Sequence, residues 1–141
     1  PIAAGECEQT PYGFERFASA RSLDIFQPDI AYCGGITEFQ KINALASAAH
    51  ADIVPHCWGL KINQAVAASA ISMIPENPGR FERRPVFLEV DQTEHPIRDT
   101  IFSTSHDVID GKLHFNDLPG LGVDVDESVM EPFVIDPKVN N

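Results

Sequence analysis

Basic residues, cysteines and uninterrupted apolar runs are all scarce in this chain, and each shortage removes a class of function. The 10 Lys and Arg face 21 Asp and Glu, a formal net charge of -11. So acidic a surface repels nucleic acid and anionic lipid, and neither nucleic acid nor a membrane is expected as a partner. An anionic substrate would need local help from a metal or a cationic side chain. The three cysteines, Cys7, Cys33 and Cys57, are odd in number and lack CxxC spacing. Neither a disulfide framework nor a zinc knuckle is expected, and a reducing, cytoplasmic setting fits. No basic segment followed by an apolar run opens the chain, and Ile62 to Ile74 is too short and too interrupted to span a bilayer. The first residue is Pro1 and not Met, directly in an apolar run, so an upstream part is expected to have been removed or left out. Missing too are GxGxxG, a P-loop lysine and a GxSxG elbow, which argues against a nucleotide cofactor and against Ser-His-Asp hydrolysis.

What is present suits one globular domain: 141 residues with 43% apolar content. Ile2-Ala3-Ala4-Gly5-Glu6 is short, apolar and ends in an acid, as a strand buried on both faces would be. Thr10 and Pro11 read as an N-cap and first helical residue, leading into Phe14, Phe17 and Ala18 at helical spacing. The order then recurs. Asp24 to Asp29 reads as a second strand ending in an acid, followed by a Gly34-Gly35 turn. A helix comes next, with Thr37 and Gln40 as a capping box and Phe39, Ile42, Ala46 and Ala49 on one face. Asp52 to His56 reads as a third strand. Its helix would carry Ile62, Val66, Ala70 and Met73 along one stripe and stop at Pro75 and Pro78. Pro85 to Asp91 reads as a fourth buried strand. From Gln92 to Asn141 the helical rhythm is lost. Turn signals at Asp110-Gly111, Pro119-Gly120 and Asp136-Pro137 alternate with short β-prone runs such as Lys112 to Phe115.

Alternating strands and helices imply an α/β fold with a parallel sheet, either open and doubly wound or closed into a barrel. A barrel gathers the residues at its strand ends into one mouth, and here those ends carry Glu6, Asp29, His56 and Glu89. A complete barrel needs eight strands. Four are found, so the expectation is half of one.

Asp29 and His56 end adjacent strands, which lie ~4.8 Å apart, so a carboxylate-imidazole hydrogen bond is within reach. The carboxylate would fix the imidazole tautomer and orientation, giving a group able to take or return a proton near neutral pH. The plainer alternative is a satisfied core histidine and a helix-entry acid. Glu6, at the rim of a buried strand with no positive neighbour in sequence, calls for a hard cation such as Mg²⁺ or for a structural salt bridge. Glu89 stands in a mostly apolar run, where a neutral carboxyl could donate a hydrogen bond to a substrate oxygen gaining negative charge. Pairing with Arg83, Arg84 or Arg98 is the alternative there. Trp58, two residues after His56, offers either a substrate-pocket wall or simple packing.

Taken together, Ala4-Gly5-Glu6, Gln27-Pro28-Asp29 with Cys33-Gly34-Gly35-Ile36-Thr37-Glu38, Pro55-His56, Leu88-Glu89 and the tail Asn116 to Val123 resemble the mandelate racemase/muconate lactonizing group of the enolase superfamily. The likeness runs in order along nearly the whole chain. It implies the C-terminal half of a modified (β/α)7β TIM-like barrel over residues 1–91. Residues 92–141 would form the barrel end and a tail joining an α+β capping domain. It also implies Glu6 as one of three carboxylate ligands to Mg²⁺ (magnesium), His56 with Asp29 as the acid/base dyad, and Glu89 as hydrogen-bond donor to the substrate carboxylate. The implied enzyme is a lyase or isomerase acting on a small-molecule carboxylate. His56-Cys57-Trp58-Gly59 and Glu89 to Pro96 look like branches that use sugar acids and their lactones. Acid-sugar dehydration is favoured, with racemisation, epimerisation and lactone cycloisomerisation as alternatives. The other metal ligands and a second base would lie in the N-terminal part of the same protein, so this stretch alone is expected to be inactive. A homo-oligomer is expected for the full-length protein. A non-catalytic scaffold or binding fragment is the alternative of another class.

Overall fold

The repeated strand-helix order takes shape as a parallel sheet of three short strands, β1 (Ala3–Ala4), β2 (Ile25–Phe26) and β3 (Asp52–Ile53), in the spatial order β1-β2-β3. The structure is a computed structural model and describes residues 1–74 and 86–135. Pro75, Pro78, Arg83, Arg84, Pro85 and the Asp136-Pro137 turn lie outside the described residues. Register pairs Ala3 with Ile25 and Ile25 with Asp52. Single backbone hydrogen bonds carry the pairing past the strands, from Gln27 N to Ala4 O at 3.0 Å, Val54 N to Phe26 O at 3.0 Å and His56 N to Pro28 O at 3.1 Å.

Helices α1 (Thr10–Ala20), α2 (Ile36–Ala48) and α3 (Lys61–Ser72) follow the three strands in turn. Phe14, Phe26, Phe39 and Ile42 are almost fully buried in one cluster with Ile30, Ile53 and Ala46. The Phe14 and Phe26 rings sit 5.4 Å apart, and Phe17 meets Phe14 edge to face at 6.2 Å. Aromatic pairs at these separations add a specific attraction to the area they bury.

Three local expectations need correction. Thr10 is the first residue of α1, after Gln9, and neither α1 nor α2 has a side-chain cap. The Thr37-Gln40 box is not formed, because the N-cap is Gly35, two residues before Thr37, with φ 86°, and Thr37 already lies inside α2, which begins at Ile36. On α3 the buried residues are Ala65, Ala67, Ala68 and Ala70, while Ile62 and Met73 are each 38% exposed. Ala70, fully buried, and Val66, packed against the core cluster, keep the middle of the expected stripe, while its ends turn outward and Ala65, Ala67 and Ala68 supply the rest of the packed surface.

The fourth apolar run is also not a strand: residues 86–91 have no ladder partner among the described residues. The Cys57 N–H, a donor that could have joined a ladder, is given to the Glu89 side chain instead. Beyond it the chain forms a short helix α4 (Pro96–Thr100), started by Pro96 and capped by His95, whose Nδ1 accepts from Arg98 N at 3.2 Å. Two antiparallel pairs follow, β4 (Phe102–Thr104) with β7 (Asp124–Val125), and β5 (Asp107–Ile109) with β6 (Lys112–His114). The expected Asp110-Gly111 turn closes the second pair, with φ 50° and 71°. Positive φ at both central residues is what a tight hairpin turn of this hand requires.

Candidate active site

Asp29 and His56 are brought into register by an isolated parallel bridge at the end of the β2-β3 pairing. Parallel neighbours in register project side chains to the same side of a sheet. The Asp29 Oδ2 therefore meets His56 Nδ1 at 2.9 Å, and the two side chains are 17% and 20% exposed. The other carboxylate oxygen, Oδ1, accepts from Ala31 N at 2.8 Å, which fixes the rotation of the carboxylate itself. With Nδ1 held by the acid, Nε2 is left facing the open side of the ring.

Two more carboxylates converge on that Nε2. Glu6 Oε2 lies 3.5 Å away and Glu89 Oε2 lies 3.9 Å away. Glu6 is placed by Gly5, whose φ is 123° and whose missing side chain leaves room for Phe14; an added Cβ would lie 2.6 Å from the Phe14 ring. Only glycine accepts both conditions, so the turn that presents Glu6 is tied to the packing of α1. Glu89 accepts from Cys57 N at 2.9 Å. Its side chain is 43% exposed, so the desolvated setting expected from its apolar neighbours is not found. Arg98 does not pair with it, being engaged by Asp91 at 2.7 Å.

The structure thus gathers Glu6, Asp29, His56 and Glu89 within one side chain's reach of each other, and leaves Trp58 apart. Its indole is 63% exposed, while its carbonyl accepts from Asn63 Nδ2 at 3.2 Å. A cleft of about 350 Å³ opens beside Asp29 and His56, lined also by Ile30, Gly35, Ile36, Asn63 and Val66. Trp58 is not part of its wall. Asn63 and Ile36 escaped sequence reasoning because their role depends on how two helix starts meet. Cys57, 5% exposed, lies beneath this constellation. Burial, and then the Asp29, Glu89 and Asp91 carboxylates, push its thiol up to about 12. It is therefore an inert thiol and not a nucleophile.

An imidazole held at one nitrogen by a partly buried acid, with its other nitrogen open to a cleft, can exchange a proton with a bound molecule. Among the described residues no group of three His, Cys, Asp or Glu side chains could hold a metal ion, and no helix is long and apolar enough to cross a membrane.

The family model described as "Enolase C-terminal domain-like" matches residues 1–129. The chain is 33% identical over 133 residues to a D-galactarolactone cycloisomerase of Agrobacterium fabrum, covering 94% of this chain and 35% of that protein. It is 35% identical over 129 residues to a D-galactonate dehydratase of Cronobacter sakazakii, covering 90% and 33%. The crystal structure of the 3,6-anhydro-D-galactonate cycloisomerase from Zobellia galactanivorans superposes with a TM-score of 0.84 at 36% identity, over 96% of this chain and 36% of that one. The chain spans about a third of the length of the relatives it matches.

Proposed function

The chain belongs to the enolase superfamily, of which it carries C-terminal sequence, and on that premise we propose that the intact protein abstracts the proton α to a sugar-acid carboxylate. The observation that carries this reading is the Asp29-His56 pair at 2.9 Å with Glu6 and Glu89 converging on its free nitrogen. In it, residues 1–91 form the C-terminal half of a (β/α)7β barrel. Residues 92–141 form its end and a tail packed on an α+β capping domain. The enzyme is cytoplasmic and works as a homo-oligomer.

His56 is the acid/base group, moving a proton at Nε2 while Asp29 holds Nδ1. The ene-diolate left by loss of the α proton gathers negative charge on the substrate carboxylate, and Glu89 is the group that meets an oxygen there. In dehydration His56 also protonates the departing β-hydroxyl. Magnesium is the cofactor of this chemistry. Glu6 fits one position of such a site, since its carboxylate is 60% exposed and offers a hard oxygen donor. The described residues do not complete the ligand set, so the remaining ligands come from other parts of the intact protein. Bound Mg²⁺ would act as a Lewis acid toward the substrate carboxylate.

Dehydration is the first reading, supported by the likeness to a D-galactonate dehydratase. Cycloisomerisation is the second, favoured by the two cycloisomerases among the similar proteins. Incubating the intact protein with a panel of sugar acids and their lactones in deuterated water separates them. Apart from incorporated deuterium, dehydration gives a product lighter by one water, cycloisomerisation an isomer of the substrate's mass and racemisation an epimer. Deuterium enters at the α carbon in racemisation, and at the β carbon in dehydration, where the α carbon becomes the keto carbon as the enol tautomerises. The His56→Asn variant should lose turnover and solvent-deuterium incorporation by roughly 100-fold or more. Exchange at the wild-type rate in that variant would remove His56 from the role. Neither turnover nor exchange by the wild type with any substrate would leave a binding or scaffold role.

A further inference from the structure

We propose that Asp91 is a positioning residue of the candidate site, forming with Thr93 and Arg98 a clamp that holds Glu89 against the loop following His56. The inference rests on the functional reading above and adds residues that it does not use.

Residues 86–91 have no ladder partner among the described residues, so sheet register does not fix where Glu89 stands. Side chains must fix it. Glu89 and Asp91 both stand near Cys57, whose thiol feels both carboxylates, and Asp91 lines a small pocket with Cys57 and Gly59. Glu89 takes the N–H of Cys57 at 2.9 Å. Asp91 Oδ1 takes both the N–H and the hydroxyl of Thr93, at 2.8 and 2.7 Å, while Oδ2 takes Arg98 Nη1 at 2.7 Å. Arg98 closes the ring by donating to the Thr93 carbonyl.

This pair differs from the surface pairs Arg16-Glu8 and Lys41-Glu38, whose cations are 64% and 57% exposed. The Asp91 and Arg98 side chains are 7% and 12% exposed. A largely buried, charge-assisted pair whose acid and base are each tied to Thr93 as well holds its geometry where an exposed pair does not. The Thr93 N–H and hydroxyl, then Arg98, then the Gly59 N–H hold the Asp91 carboxyl down at about 2, so it remains charged across the working range of an enzyme. Asp91 lines a small pocket together with Cys57, Gly59 and Arg98, a second grip on the Cys57–Gly59 loop beside the Glu89 bond to Cys57 N, and His56 is the residue immediately before that loop. Without the second grip, the half-exposed Glu89 side chain regains rotamer freedom and leaves the 3.9 Å approach to His56 Nε2. Arg98 belongs to α4, so the clamp also makes the tail a support of the site.

The test uses the intact protein with Asp91→Asn, Thr93→Ala, Glu89→Gln and the Asp91→Asn/Glu89→Gln double variant. Two readouts are taken: kcat and KM on a sugar acid turned over by the wild type, and maleimide labelling of Cys57 with exposed Cys7 as internal reference. We expect Asp91→Asn to lower kcat by roughly 10- to 100-fold with KM nearly unchanged, the scale of a lost supporting contact. Thr93→Ala, which removes one donor, should move the same way by less. In the Glu89→Gln background Asp91→Asn should add almost nothing, since its effect passes through Glu89. Cys57 labelling should quicken several-fold in Asp91→Asn while Cys7 labelling stays constant. Losses that multiply in the double variant, or Cys57 labelling unchanged in both single clamp variants, would overturn the proposal. A wild type with neither turnover nor solvent-deuterium incorporation on any sugar acid would instead overturn the functional reading, leaving the clamp to be judged on Cys57 labelling.

Discussion

Cys57 lies one residue beyond His56, 5% exposed, and faces the field of Asp29, Glu89 and Asp91. Burial is the main reason its thiol is pushed up to about 12 from 9.0, with the three carboxylates adding to it. The folded state therefore resists losing this proton more than the unfolded chain does. A raised thiol leaves stability untouched below pH 9 and removes it progressively as pH climbs from 9 toward 12. The melting temperature of wild type should thus fall more steeply over that range than that of Cys57→Ala, with the two slopes equal near neutral pH. Equal slopes throughout would mean that the thiol is not buried against those carboxylates. The same spot shows what single residues disclose in sequence. Asp29 and His56 were legible as a pair because parallel register alone brings adjacent strand ends side by side. The Asp91-Arg98 link was not, because it joins a run without ladder bonds to a helix five residues further on. Trp58 was legible only as a large aromatic near His56, and backbone direction, which the sequence does not reveal, turned it outward.

Among the elements, α1, α2 and the sheet share one aromatic cluster, and Phe14 is its most connected member on α1, fully buried against Phe26 and beneath the Gly5 turn. Replacing it empties space that backbone on both sides cannot fill. Phe14→Ala should cost about 3–5 kcal/mol, read as a lower urea midpoint with an unchanged slope. Loss of the Gly5-Phe14 contact should also loosen Glu6. A cost below about 1 kcal/mol would show that the site collapses around the gap. The first two helices and three strands were legible because apolar spacing, Pro11 and the acid-ended runs agree with one another. On α3 the middle of the stripe, Val66 and Ala70, was legible and its ends were not, because alanine, weak in any hydrophobic count, forms the rest of the buried surface. The fourth strand was misread because an apolar run announces burial, while strand identity needs a backbone partner that composition does not supply.

For the molecule as a whole, among the described residues β1 and β3 each pair on one side only, and apolar side chains such as Ile2 and Phe87 are 62% and 66% exposed. Open strand edges beside exposed apolar groups invite association, so measurements on this chain alone need its size checked alongside. Metal binding is where the difference between the chain and the intact protein should be plainest. Mg²⁺ gives up its water shell reluctantly and needs several oxygen ligands in near-octahedral order. Glu6 offers one carboxylate, 60% exposed, and the Asp29 carboxylate is occupied by His56 and Ala31 N–H. Among the described residues no third ligand joins them. Calorimetric titration of the 141-residue chain with Mg²⁺ should therefore show only weak binding, and Glu6→Gln should barely change it. In the intact protein the same substitution should weaken Mg²⁺ binding by roughly 10-fold or more, because a preformed set loses a member that the others cannot replace. Tight, one-to-one binding by the chain alone would place the whole ligand set within these residues and would contradict the division of the site between this segment and the rest of the protein.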